Sequence, residues 1–314
     1  MTFELLSNEL KKEKINSVLI NKNSERVFEY YKNKKQKDKL HKINSCTKSI
    51  MSILIGIALD KQYIKTIESP IHEFFPKIFK EQSDNRKMGI TIRHLLTMTD
   101  GLDFPEFGEW KGFAPMVYYH DIVKFVIDRP LKYDVGTHMN YNSGCSHTLS
   151  AILQQTTNMK TEDFAYEFLF KPLGIKEYRW YLDRMNINKG ADGLILKIED
   201  MEKIGKLILQ NGLFDGKRIV SEGWIKESTA PNLLTYDNVG YYGMQWWVNK
   251  IDEEKDFSSE NTYCFALGFG GQYILIIPFY HVVISITSDI YDDSLRPMRI
   301  IRKYLYLLKK SSKA

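Results

Sequence analysis

The stretch Ser45-Cys46-Thr47-Lys48-Ser49-Ile50-Met51-Ser52-Ile53-Leu54-Ile55-Gly56-Ile57-Ala58 carries the strongest apolar helical pattern in the chain. Ile50, Ile53, Leu54 and Ile57 fall at helical spacing, so a helix is expected from Ser45 to about Lys61. Its apolar run is about half of the roughly 20 residues that a bilayer requires. The helix opens with the only S-x-x-K of the chain. If it begins at Ser45, Lys48 lies one turn on and on the same face. A hydroxyl at a helix N-terminus sits where oriented amides favour developing negative charge. A lysine partly removed from water gives up its proton more readily and can accept one from serine. Ser45 and Lys48 are thus a candidate nucleophile and base. The plainer reading is an N-cap serine and a surface lysine.

Outward from this helix, Ser17 to Asn21 and Arg26 to Tyr31 read as a hairpin around Asn-Lys-Asn-Ser. Residues 65–190 hold short helical patterns, at Ile92 to Met98, His120 to Asp128, Ser143 to Gln155 and Thr161 to Phe170, punctuated by Pro and Gly. An amphipathic helix is expected from Ile198 to Asn211, ended by Gly212. Gly240 to Lys250, Thr262 to Phe269, Gln272 to Ile277 and Val282 to Ser288 are β-like in succession, and Ser294 to Leu308 is helical. The economical fold is α+β, with both ends of the chain in one antiparallel sheet and a mostly helical insert between them. This divides the chain into a discontinuous sheet lobe, 1–64 with 191–314, and a mainly helical lobe, 65–190.

With 314 residues, 43% hydrophobic and 13% aromatic, the chain has material for a large core. Its composition excludes collagen-like, largely disordered and disulfide-scaffold classes. The net charge of +5 is spread over 44 basic and 39 acidic residues. Lysine runs at Lys11-Lys12, Lys32 to Lys37 and Lys309-Lys310 read as solvated surface, since no nucleic-acid motif accompanies them. Three cysteines, Cys46, Cys145 and Cys264, suit a reducing compartment, and no apolar leader opens the chain. The expectation is a cytoplasmic protein with neither nucleic-acid nor membrane partners. The seven histidines show no H-E-x-x-H spacing and the cysteines no C-x-x-C, so neither metal nor cofactor is expected. Ser83-Asp84-Asn85 reads as a plain loop, and Ser143 with His147 as capping and packing.

Two further elements carry chemistry. Tyr141-Asn142-Ser143 precedes a helical run; the tyrosine can serve as a second proton carrier beside a lysine, and the Ser143 hydroxyl can hold the lysine or the substrate. A packed aromatic followed by an N-cap serine explains the same residues. Gly268-Phe269-Gly270-Gly271-Gln272 lies between two β runs, where glycines let a substrate approach the backbone and amides can form half of an oxyanion hole. A tight hairpin turn is the alternative. Of Trp246 and Trp247, strand alternation turns only one toward a pocket.

In their order, these three elements resemble the serine β-lactamase-like family: S-x-x-K, then Tyr-x-Asn/Ser, then a strand Lys/His-Thr-Gly or its Gly-x-Gly variant. The stretch Thr91-Ile92-Arg93-His94-Leu95-Leu96-Thr97-Met98-Thr99-Asp100-Gly101-Leu102 is similar to that family's T-I-R-H-L-L-T-x-T-S-G-L, and Pro172-Leu173-Gly174-Ile175 resembles its P-L-G turn. Ser45 to Ser49 and Gly268 to Gln272 look most like the class C β-lactamase-related esterases and 6-aminohexanoate-dimer hydrolases. The resemblance implies a β-lactamase/D,D-peptidase-like fold and a small ester, amide or short-peptide substrate. It implies attack by Ser45, proton shuttling by Lys48 and Tyr141, and an oxyanion held by amides of Ser45 and of Phe269 or Gly270. It also implies that the region after Gly101 borders the cleft, which makes Asp103, Phe104 and Trp110 weaker candidates for substrate contact. Two departures bear on specificity. Gly268 stands where the third motif has Lys or His, removing the group that would meet a β-lactam carboxylate. Ser143 is shorter than the usual asparagine. Both favour an esterase or amidase over a D,D-peptidase or β-lactamase. A catalytically idle, ligand-binding member of the fold is the remaining alternative.

Overall fold

The computed structural model describes residues 2–107, 109–236 and 239–309; Lys310, in the last lysine run, lies outside them. The first strands, β1 (Ile15–Lys22) and β2 (Glu25–Tyr31), form the expected hairpin. Asn23 and Ser24 both take positive φ at its turn, which matches the right-handed twist of the flanking strands. Six more strands complete the sheet: β3 (Leu233–Leu234), β4 (Tyr241–Tyr242), β5 (Trp247–Lys250), β6 (Thr262–Gly268), β7 (Gln272–Ile277) and β8 (Val282–Ser288). Their order is β2-β1-β8-β7-β6-β5-β4-β3, antiparallel throughout. The pairing of β1 with β8 joins the two ends of the chain, as the α+β reading requires.

Both faces of this sheet are covered. Alternate residues of β7 show it: Ile274 and Ile276 enter one core cluster, Tyr273, Leu275 and Ile277 the other. The helices α1 (Phe3–Lys11), α2 (Cys46–Asp60), α3 (Ile92–Thr97), α4 (Ser143–Thr157), α5 (Ile198–Leu209) and α6 (Arg296–Lys309) supply most of the covering. Leu6 and Leu10 of α1 and Met298 and Ile301 of α6 pack on the second cluster; α2 and α5 lie on the first. This explains why the central strands read as unbroken apolar runs. Every residue of α2 from Cys46 to Ala58 is buried, between the sheet on one side and α4 on another. Among the described residues, no helix is long and apolar enough to cross a membrane.

Three local features differ from expectation. Helix α1 lies outside the expected elements, although Phe3, Leu6 and Leu10 fall at helical spacing. The β-like run from Gly240 to Lys250 is broken at Gln245, which takes φ +65 and sends its side-chain amide to the carbonyls of Leu95 and Leu96, 3.0 Å each. Its side-chain oxygen accepts from Ser146, so this break ties the sheet edge to α3 and α4. The helix at Thr161 becomes a π-turn over Tyr166–Phe170.

Gly205 of α5 lies against the sheet where a Cβ would come within 2.4 Å of Val283 Cγ1. An interior helical glycine ordinarily gains stability when a side chain is added. Here the overpacking outweighs that gain, and Gly205→Val is expected to lower the unfolding free energy by about 2 kcal/mol. Chemical denaturation reads this directly; a neutral or stabilising outcome would mean that α5 can lift from the sheet at little cost.

Candidate active site

Ser45 immediately precedes α2 as its N-cap, with φ −66 and ψ −7, and its hydroxyl caps nothing. It accepts instead from Lys48 Nζ at 3.0 Å. The plainer reading, a capping serine and a surface lysine, is therefore not what the chain does: Lys48 is 1% exposed. Its ammonium also donates to Ser143 Oγ at 2.9 Å and to the Ala191 carbonyl at 3.1 Å. Three N–H groups thus meet three acceptors, on α2, on α4 and on the segment before residue 194.

Asn142, not Ser143, caps α4: its Oδ1 accepts from Gly144 N at 2.8 Å. That frees Ser143 Oγ to accept from Lys48 while donating to Glu106, whose other carboxylate oxygen accepts from Ser143 N at 2.9 Å. Ser143 therefore holds the lysine rather than a substrate. Tyr141 is buried, its ring 4.9 Å from Lys48 Nζ and stacked on Trp247 with centroids 5.4 Å apart. Burial pushes the Tyr141 phenol above its ordinary value, while the Lys48 charge and contacts with Ser45 and Lys48 pull the other way. Of the tryptophan pair, Trp246 is wholly in the core and Trp247 faces the site.

The third element meets the first across a close approach. A Cβ on Gly268 would lie 2.2 Å from the Ile43 carbonyl, so only glycine lets β6 run this near the turn before α2. Asn44 in that turn takes φ +47, a conformation asparagine tolerates, and its side chain donates to the Phe269 carbonyl at 2.6 Å. Gly268 therefore supplies space, not a substrate contact. Gly270 is a second correction: its N–H donates to Ser294 Oγ at 3.0 Å and is not turned to the site. The amides of Ser45 and Phe269 have no protein acceptor among the described residues. Both residues line the cavity into which Ser45 opens.

Ser45 opens into a cavity of about 550 Å³, with an apolar wall of Phe107, Phe113, Val239, Trp247, Leu267 and Leu295. Glu106 and Asp192 are its acidic lining residues, and no lysine, arginine or histidine lines it among the described residues. Asp103, Phe104 and Trp110 do not reach it. Phe104 is in the core, Trp110 is exposed beside Tyr118, and Asp103 faces Lys132. Ser83-Asp84-Asn85 is a loop whose Asp84 caps a short helical turn. His147 pairs with Asp183 at 2.9 Å, away from Ser45. Asn44 had a readable signal, the αL tolerance of asparagine; Glu106 and Asp192 had none, since both sit in irregular segments without period.

One more acid anchors the second element from behind. Asp100 is fully buried; it accepts from Asn142 Nδ2 at 2.9 Å, from Leu102 N at 3.3 Å and from Cys145 Sγ at 3.2 Å. Burial pushes its carboxyl up to about 6.

A sheet covered by helices, with a serine at the head of its most buried helix and a lysine beneath it, is the arrangement of the β-lactamase/transpeptidase-like fold. A β-lactamase family model matches residues 15–299, and the chain belongs to that family. It is 22% identical over 302 residues to the 6-aminohexanoate-dimer hydrolase of Paenarthrobacter ureafaciens, covering 88% of this chain and 73% of that one. Its fold matches EstCE1, a hydrolase with promiscuous acyltransferase activity, at TM-score 0.77 and 14% identity, over 96% of this chain and 97% of the other. It also matches a D-stereospecific amidohydrolase from Streptomyces sp. at TM-score 0.72 and 14% identity, over 96% and 98%.

Two outcomes are expected from this geometry. Gly268→Ala forces β6 away from Ile43 and separates the Phe269 amide from Ser45, so hydrolytic turnover falls at least tenfold. Turnover within twofold of wild type would show that the close approach is dispensable. The folded protein holds the Asp100 proton at pH values where the unfolded chain, with an aspartate near 4, has lost it. The associated stability is full below about pH 4 and is lost as pH rises through about 6, an upper bound of roughly 3 kcal/mol. Asp100→Asn therefore flattens the pH dependence of the unfolding free energy across that window; an unchanged slope would contradict the assignment.

Proposed function

We propose that this protein is a serine hydrolase that cleaves small ester or amide substrates through an acyl-enzyme on Ser45. The observation that carries the reading is the Ser45 hydroxyl itself. Its helix makes no use of it, a buried lysine donates to it at 3.0 Å, and it lies at the wall of an apolar cavity. In the proposed reaction Ser45 Oγ attacks the carbonyl carbon while its proton passes to the Lys48–Tyr141 pair. The amides of Ser45 and Phe269 hold the developing oxyanion at the head of α2. The pair returns the proton to the leaving alkoxide or amine, and water then releases the acyl group by the same path reversed.

The cavity draws its walls from 1–64, from 65–190 and from 191–314, which supports the proposed division into two lobes with the substrate between them. Its lining favours neutral or cationic substrates. Glu106 and Asp192 repel a carboxylate, and Gly268 leaves its motif without the cation that would receive one. The names of two relatives, a 6-aminohexanoate-dimer hydrolase and a D-stereospecific amidohydrolase, support an amide among the bonds cleaved.

The test is intact-protein mass after a fluorophosphonate or p-nitrophenyl butyrate, with benzylpenicillin in parallel. Wild type is expected to gain the probe mass and turn over the ester. Ser45→Ala is expected to gain nothing and to lose more than about 1,000-fold in kcat/KM. A stable penicillin adduct would favour a D,D-peptidase instead, and no adduct from any reagent would leave a ligand-binding protein on an enzyme's fold.

A further inference from the structure

Glu106 is tied to the nucleophile by an unbroken line of hydrogen bonds. Ser45 Oγ accepts from Lys48 Nζ at 3.0 Å, Lys48 Nζ donates to Ser143 Oγ at 2.9 Å, and Ser143 Oγ donates to Glu106 Oε1. As an ammonium, Lys48 spends all three N–H groups on acceptors and has no lone pair for the Ser45 proton. It becomes a base only by passing one proton on. The Ala191 carbonyl cannot take that proton, and the Ser45 hydroxyl is the group to be deprotonated. Of the three acceptors, Ser143 alone leads to a group that can hold it; the Tyr141 phenol beside Lys48, raised by burial, already carries its own proton.

We propose that Glu106 is the proton store of this site, a positioning residue that sets the charge of Lys48 through Ser143. This rests on the acyl-Ser45 reading and deepens it. The transfer balances within the protein. An Nζ–H bond of Lys48 breaks as an O–H bond forms on Ser143, and the former Ser143 proton moves to Glu106 Oε1. An ammonium and a carboxylate become an amine and a carboxylic acid, with no change in net charge. The amine then takes the Ser45 proton as Oγ bonds to the acyl carbon.

The surroundings make the Glu106 carboxyl a readier proton acceptor than an exposed glutamate. Burial raises the Glu106 carboxyl above its ordinary value and the Asp192 charge adds to this; the Lys48 charge and the two bonds from Ser143 oppose it. The other titratable groups around Glu106 are Tyr141, Cys145, Tyr236 and Tyr242, all raised chiefly by burial and so neutral near pH 7. The shorter Ser143 thereby gains a role. A hydroxyl both accepts and donates along the same line, whereas an asparagine at this position would hold the lysine without relaying its proton.

The experiment is the pH dependence of kcat/KM for p-nitrophenyl butyrate in wild type, Glu106→Gln and Ser143→Ala. Glutamine keeps an acceptor for Ser143 but cannot store a proton. Glu106→Gln is expected to lose about 100-fold near pH 7 and to recover as pH rises, because hydroxide then removes the lysine proton in place of Glu106. Ser143→Ala breaks the same line and is expected to show the same alkaline recovery. A merely structural Glu106 would lower the rate equally at every pH, and that result, or an unchanged profile, overturns the proposal. If either variant unfolds, the other decides. Fluorophosphonate labelling of wild-type Ser45 separates the two levels. Labelling with an unshifted Glu106→Gln profile removes only the proton store, whereas no labelling removes the acyl-enzyme reading and this inference together.

Discussion

Withdrawing an ammonium group from water costs several kcal/mol unless each of its protons finds an acceptor. Lys48 meets that demand with acceptors from three places: Ser45 at the head of α2, Ser143 at the head of α4 and the Ala191 carbonyl in the segment between the helical insert and α5. Shifting any one of the three strands a buried donor, at about 1–3 kcal/mol. The relative placement of these elements is thus held by the chemistry of one cation. Glu106 supplies the compensating charge one hydroxyl away. Stability and site geometry have here a common cause, so a variant that loosens one loosens the other.

The second constraint is backbone against backbone. Gly268 allows the end of β6 to touch the Ile43 carbonyl, and Asn44 closes the contact by donating to Phe269. This brings the Phe269 backbone against the turn before Ser45, and both residues line the same cavity. Behind them, Asp100 holds Asn142, and Trp247 carries the Tyr141 ring. Each part of the second element is therefore fixed from a different direction: the ring by the sheet, the cap by a buried acid, the hydroxyl by the lysine and Glu106.

Hydrophobic period and turn chemistry are local signals, and the elements they govern are legible in the sequence. The hairpin at Asn23-Ser24, the apolar helix after Ser45, the helix ended by Gly212 and the strands from Thr262 to Ser288 all carry such signals, and all are present. The three chemical elements are legible as motifs, but the directions of their side chains are not. Gly270 is a fair oxyanion candidate by sequence, yet Ser294, 24 residues on, occupies its amide. Asp103, Phe104 and Trp110 mark the right loop and the wrong residues, because an irregular segment gives no rule for which side chain turns inward. Glu106 and Phe107, three and four residues from Asp103, reach the site. Gln245 shows the same effect in the sheet: a polar residue inside a β pattern breaks it, because its amide is worth more against the ends of α3 and α4.

The burial of α2 on every face has a consequence for how such a protein can diversify. From Cys46 to Ala58 no residue of this helix reaches solvent, so hardly any substitution in it is invisible to its neighbours. The exposed aromatics at the cavity mouth, Phe107, Tyr236 and Phe269, are under no such restraint. Side chains can be exchanged there one at a time while Ser45 stays where it is. The chain is in this sense a rigid handle with an exchangeable grip.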